Sequence, residues 1–138
     1  MRKYLIMLLL AFSMTATSFA QNVMWFRTTE YAIKMQKTRT NGTTYWTNWS
    51  DWEDSDMNVK FDLTNDVITI YSPKTQVYQV LSVEDPPYDA TGRQVKFRVR
   101  DQDGDYGYIR LRIENNGNSQ IYVDFSNVSW VYNVKRTS

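Results

Sequence analysis

The chain has 138 residues, with 16 Lys and Arg against 15 Asp and Glu, 42% hydrophobic and 15% aromatic residues, and neither His nor Cys. A balance this close to neutral excludes a generic nucleic-acid binder, whose affinity comes chiefly from a large cationic surface, and the aromatic content excludes a disordered chain. Without His or Cys there is no Ser-His-Asp triad, no thiolate nucleophile, no imidazole or thiolate ligand for zinc or copper, and no disulfide, so an enzyme here would have to work with carboxylates, Tyr, Lys or Ser.

The first twenty residues stand apart. Arg2 and Lys3, the apolar run 4–12 and Ser18-Phe19-Ala20 form a secretory signal peptide, with cleavage expected before Gln21. The apolar run is shorter than the ~20 residues needed to span a bilayer, and no Cys follows it to carry a lipid. The expected organisation is therefore a signal peptide at 1–20 and a single domain at 21–138, periplasmic or secreted, with no membrane anchor after cleavage. Removing Arg2 and Lys3 leaves 14 basic against 15 acidic residues.

The mature chain opens with a long strand in which Trp25, Tyr31, Ile33 and Met35 share a face and alternate with Glu30, Lys34 and Gln36. Asn41-Gly42 is a turn signal. Trp46, Trp49 and Trp52 then recur at a spacing of three. That spacing resembles the W-x-x-W-x-x-W layer of thrombospondin type 1 repeats over about seven residues and stops there, because those repeats carry disulfides. The three indoles have two readings: a platform for sugar rings or another protein, or two core fillers and one cover for a sheet edge, which the usual burial of Trp favours. Asp51, Glu53, Asp54 and Asp56 follow. A solvated loop explains them better than a calcium site, since they lack the ordered spacing and the Gly of a calcium loop.

Residues 59–63 and 67–71 alternate or are β-branched, and matching their apolar faces with a two-residue Asn65-Asp66 turn sets Leu63 opposite Ile68 and Phe61 opposite Ile70. Ser72-Pro73 turns the chain into a strand at 76–83 whose inward face is ambiguous between Tyr78 and Val80 on one side and Val77 and Leu81 on the other. Pro86 and Pro87 mark the longest loop. In the next hairpin, Val95, Phe97 and Val99 must face the same way as Ile109, Leu111 and Ile113. This requires a loop with an odd number of residues; centred on Gly104, it puts Lys96 opposite Arg112 and Arg98 opposite Arg110. With Arg100 nearby, the outer face then carries a cationic stripe in which opposed like charges cost stability, so either Glu114, Asp124 or an acidic loop folding over offsets it, or an anionic ligand does. The Asp101-to-Asp105 segment looks faintly like a calcium loop, but its Gly is out of order. A final hairpin turns at Ser126-Asn127, pairing Phe125 with Val128, Val123 with Trp130 and Ile121 with Tyr132, with Trp130 expected in the core. The sequons at Asn41, Asn48 and Asn127 would matter only in a glycosylating pathway, and the compact leader reads as bacterial.

Short strands at regular spacing with no helical period predict an all-β domain, an antiparallel up-and-down meander of about eight strands closing into a small barrel, with a β-sandwich as the alternative. The layout resembles a calycin-like barrel. The segments VITIYSPKTQVYQV and IYVDFSNVSWVYNV are similar to small uncharacterised secreted bacterial β-proteins. That resemblance implies a lipocalin-like fold and carries no function, although Trp25 lacks the Gly-x that precedes the first tryptophan of lipocalins. The expectation is a non-catalytic binding module for a small molecule or glycan, with a structural or protein-interaction role as the alternative and a carboxylate-based enzyme behind both. Trp46, Trp49, Trp52, Lys96, Arg98, Arg100, Arg110 and Arg112 are the candidate ligand contacts. No cofactor, metal or nucleic-acid partner is implied. An open interior would favour a binder of small molecules, a filled one an interaction protein, and a pair of inward carboxylates ~5 to 9.5 Å apart a glycosidase-like enzyme.

Overall fold

A computed structural model describes residues 22–84, 91–116 and 118–138. The expected signal peptide, the two prolines of the long loop and Gly117 lie outside them. The described chain contains ten strands and no helix: β1 (Val23–Thr38), β2 (Thr44–Trp46), β3 (Glu53–Asp54), β4 (Asn58–Asp62), β5 (Val67–Ile70), β6 (Gln76–Glu84), β7 (Gly92–Arg100), β8 (Tyr106–Glu114), β9 (Ser119–Asp124) and β10 (Val128–Arg136). From β4 to β10 each strand pairs antiparallel with its neighbour in sequence, and β1 lies between β4 and β10. The result is a closed eight-stranded antiparallel barrel with β2 and β3 as short extra strands on β1. Closure of β10 on β1 rules out the sandwich and removes the open edges a sheet of this length would otherwise present.

One end of the meander follows the sequence expectation closely. Trp130 pairs with Val123 and Tyr132 with Ile121 across β9 and β10, and the Phe125 amide donates to the Val128 carbonyl to close the turn at 2.9 Å. In the β4–β5 hairpin the parity holds but the register moves by one pair. Val59 opposes Ile70 and Phe61 opposes Ile68. The turn is the four residues 63–66, with Asp66 at φ 57° and the Asp62 carboxylate accepting from the Asn65 amide at 3.2 Å. A local side-chain acceptor of this kind replaces the tighter turn, and apolar faces still meet because a shift of two residues leaves the pleat unchanged.

The β7–β8 hairpin is displaced in the same way. Its loop is the five residues 101–105, centred on Asp103, so Lys96 lies opposite Arg110, Arg98 opposite Tyr108 and Gln94 opposite Arg112. Asp101 is the cause. Its carboxylate accepts from the amides of Asp103 and Asp105, both at 2.9 Å, and Gly104 takes φ 88°. Those acidic residues thus build a hairpin loop, and among the described residues no three carboxylates converge as a metal site would require.

On β1 the expected face is overturned. The register slips between Thr28 and Glu30, a β-bulge. Before it Met24, Phe26 and Thr28 point inward and Trp25 outward; after it Tyr31 and Ile33 pair with Tyr132 and Trp130 on the inner side, and Ala32 faces out. Thr28 anchors the bulge: its Oγ1 accepts from the Met57 amide at 2.8 Å and bonds Ser55 Oγ at 2.8 Å. Outside, Trp25 stacks on Tyr71, ring centroids 6.0 Å apart.

The interior is filled. Val59, Phe61, Ile68, Ile70, Phe97 and Leu111 are wholly buried, and the phenyl rings of Phe26, Phe61 and Phe97 run through the barrel in contacts of 5.5 and 5.4 Å. On β6, Tyr78 and Val80 win the inward face while Val77 and Leu81 are half-buried. Among the described residues the buried polar or charged ones are Thr28, Arg93 and Ser129, with no carboxylate. Trp130, stacked on Phe125 at 6.4 Å, closes one end and is only partly buried.

Two predictions test this packing. Phe97→Ala removes a wholly buried ring at the barrel's centre and should cost ~3 to 5 kcal/mol, clearly more than Trp130→Ala. A β-carbon at Gly107 would stand 2.6 Å from the Asp124 carbonyl and 2.8 Å from the Phe125 ring, so Gly107→Ala should cost ~1 to 3 kcal/mol by overpacking. Denaturant melts check both. A third prediction concerns pH. Burial, reinforced by Tyr132 and Asp101, raises the Tyr78 phenol well above its usual range, and burial likewise raises Tyr132. The folded state then keeps protons that the unfolded chain releases near pH ~10, so stability is undiminished below that pH and falls above it, by up to ~1.4 kcal/mol per pH unit for each tyrosine. Melts at about pH 8 and about pH 11, with phenolate absorbance followed alongside, should show both tyrosines ionising only on unfolding.

Candidate functional site

Side chains pack the middle of the barrel, and all eight candidate residues belong to its outer wall. Residues 47–52 form a strap along β1. The Thr47 amide donates to the Met35 carbonyl at 2.9 Å and the Ser50 amide to the Ile33 carbonyl at 2.8 Å; in return the Met35 and Ile33 amides donate to Thr47 Oγ1 at 3.0 Å and Ser50 Oγ at 2.9 Å. Side-chain oxygens thus take the place of a regular ladder, which frees the tryptophans from strict alternation. Trp46, Trp49 and Trp52 are 42%, 39% and 46% exposed, so none fills the core. Lys34 lies over the rings of both Trp46, at 5.5 Å, and Trp49, at 4.7 Å. Trp49 and Trp52 border a hollow of about 230 Å³ floored by Ala32, Val131 and Tyr122. The shelter of this strap explains why Ala32 and Val131 are buried although they point away from the core.

The cations continue from there. Across the outer face the register aligns Ala32, Val131, Tyr122, Arg110 and Lys96 in one row over β1, β10, β9, β8 and β7, and Lys34, Ser129, Asp124, Tyr108 and Arg98 in the next. Trp49 meets Tyr122 edge to face at 6.3 Å, and Arg110 lies over the other side of that junction, 4.1 Å from the Tyr122 ring. Lys96 sits 4.1 Å from the Tyr108 ring, and Arg98 lies between Tyr106 at 5.4 Å and Tyr108 at 5.7 Å. The tryptophan platform and the cationic stripe are therefore one continuous band joined at Tyr122. Arg112 stands one pair along β8 and bonds Thr91.

Of the two carboxylates expected to offset the stripe, Asp124 does so. It accepts from Arg110 Nε at 2.6 Å and Nη2 at 3.3 Å, and Ser129 Oγ donates to it at 2.5 Å. Among the described residues no carboxylate lies within ion-pair distance of Lys96, Arg98 or Arg100. Below the hollow runs a polar ladder that ends on the Glu30 carboxylate. The Tyr122 hydroxyl donates to Gln120 Oε1 at 3.0 Å, Gln120 Nε2 to Asn133 Oδ1 at 2.9 Å, and Asn133 Nδ2 to Glu30 Oε1 at 2.9 Å. A polar groove of about 760 Å³ opens along it.

Sequence reasoning found both ends of the band and missed its middle. Tyr106, Tyr108, Tyr122, Gln120 and Lys34 escaped notice, although period-two reading of the outward positions on β8 and β9 would have listed the tyrosines beside the arginines. The acidic run is used locally instead: Arg27 pairs with Asp56 at 2.5 Å, which lowers the Asp56 carboxyl and raises the guanidinium, and the Tyr31 hydroxyl donates to Glu53, which raises that phenol. No protein family, curated protein or solved structure matches the chain.

Asp124 gives a direct test of the band's electrostatics. Asp124→Asn should cost about 1 kcal/mol, a charged hydrogen bond discounted for partial exposure. Added salt should restore part of it by screening Arg110 from Lys96. A loss indifferent to salt would mean that the pair matters only through its hydrogen bonds.

Proposed function

We propose that the chain is exported to the periplasm or the cell exterior and acts there as a non-catalytic binding protein that engages a glycan on the outer wall of its barrel. The observation that carries this reading is the strap: three large indoles kept half in water by a backbone that is itself bonded to β1. Folding alone gives no reason to leave such surface exposed, and contiguous exposed aromatic surface marks a binding site. A sugar ring has an apolar face and a rim of hydroxyls. Trp52 and the hollow beside it suit the face, and the Gln120, Asn133 and Glu30 ladder offers both donors and acceptors to the rim.

A second reading, a structural or protein-interaction role, draws support from the packed core, since the wholly buried phenylalanine rings give the middle of the barrel to side chains. The signal-peptide pattern of residues 1–20 supports the compartment in either case. The two are separated by titrating a panel of soluble polysaccharides while following tryptophan fluorescence. The glycan reading expects saturable quenching that Trp52→Ala removes without lowering the melting temperature. A panel that produces no binding, with a protein recovered on the wild type and lost on Trp52→Ala, would replace it with the second.

A further inference from the structure

The cations of the band are held in a way that exposed lysines and arginines ordinarily are not. Arg110 and Lys96 each lie over a tyrosine ring, 4.1 Å from its centroid, and Arg98 lies near two. Cation–π contact fixes the head group over the sheet and leaves its N–H edges toward solvent. Three of these positively charged heads, Lys96, Arg98 and Arg100, form no ion pair within 4 Å among the described residues, although Glu84 stands opposite Lys96 on β6, and Lys96 directly opposes Arg110 across the β7–β8 ladder. Opposed like charges cost stability. An anion seated among these heads would offset that cost.

We infer that the occupant of the band is an acidic polysaccharide, a chain of carboxylate-bearing sugar units running from the tryptophan strap over Tyr122 to the cations of β7. The inference rests on the glycan reading above and adds the charge. Geometry favours a narrow, extended ligand. Five strands at ~4.8 Å spacing span roughly 19 Å, and three side-chain rows give roughly 14 Å in the other direction. That is a few hundred Å² of footprint, well below the roughly 800 Å² each partner buries in a standard protein interface. Uronate-type carboxylates match the guanidinium fork of Arg98 and Arg100, which binds such groups bidentately, while uncharged faces of the same chain rest on indole. The near-neutral overall charge sets the site apart from a nonspecific polyanion trap, because attraction for a polyanion has to come from this local cluster of cations and not from the molecule as a whole.

The test uses matched polymers: alginate, polygalacturonate and hyaluronate, each also after chemical reduction of its carboxyl groups to alcohols. At least one native polymer should bind the wild type and raise its melting temperature, since a bound anion relieves the Lys96 and Arg110 repulsion. Its affinity should fall steeply between about 0.01 M and about 0.15 M salt as the screening length drops from about 30 Å to about 8 Å. The Arg98→Gln, Arg100→Gln double variant should melt no lower than wild type yet bind about tenfold more weakly or worse, and Trp52→Ala should weaken both native and reduced forms. If the reduced polymers bind as tightly as the native ones, the charge inference is overturned and the glycan reading stands. If no polymer of either form binds, both fall. Binding of poly-L-glutamate as tight as that of the polyuronates, with Trp52→Ala without effect, would assign the band to an acidic protein and also overturn the inference.

Discussion

The pairing of the last strand with the first is the interaction on which the rest of the structure depends. β10 runs along β1 from Phe26 to Met35, and without it the meander would be an open sheet with two long apolar edges. Closure requires β1 to serve two neighbours over its length, and a straight sixteen-residue strand cannot follow the wall that far. The bulge between Thr28 and Glu30 supplies the bend. Because it adds one residue to one side of the ladder, it also exchanges the faces of β1: Met24 and Phe26 enter the core from below the bulge, Tyr31 packs against it from above, and Ala32 and Lys34 are turned out beneath the strap.

That exchange connects fold to surface. Lys34 reaches Trp46 and Trp49 only because the bulge has already turned it outward, and Ala32 is small enough to let the strap approach β1 and shelter Val131. From there the outer wall is a set of cross-strand pairs in which aromatic and cationic side chains alternate, stabilised by ring contacts and by the single clamp of Asp124 on Arg110. The interior and the wall divide the labour by chemistry. Aliphatic and phenylalanine side chains close-pack inside, where a polar group would have to find partners, whereas the tyrosines and tryptophans, each with a polar tip, occupy the ends and the outside.

Recognition on that wall obeys a different physics from recognition inside a barrel. Inside a barrel, affinity comes from desolvating apolar surface around an enclosed molecule. On a wall, contact area is smaller and half of it stays wet, so orientation of the binding groups counts for more. The cation–tyrosine contacts and the amide ladder of Gln120 and Asn133 both supply that orientation before any ligand arrives.

How much of this was legible in the residues follows from the range of each signal. Alternation identified the strands, the all-β class and the inward sets of β7 to β10, because a period of two is written locally and burial forbids the odd slip. The Ser126-Asn127 hairpin was legible to the exact pair, its turn being too short to offer a choice. Where a side chain could cap the turn, as Asp62 and Asp101 do, the register moved by two residues without changing either face, and no apolar pattern records such a move. The face of Trp25 and the exposure of the three tryptophans were not legible, since hydrophobicity alone argues for burial. By itself the sequence determined which side of each strand is greasy and where the chain turns. Only the tertiary structure decided that β10 closes on β1, that a bulge reverses the first strand, and that tryptophans from the strap and arginines from a hairpin some fifty residues away stand side by side: strand neighbours in a closed barrel are set by long-range hydrogen bonding, which leaves no mark in the local pattern of residues.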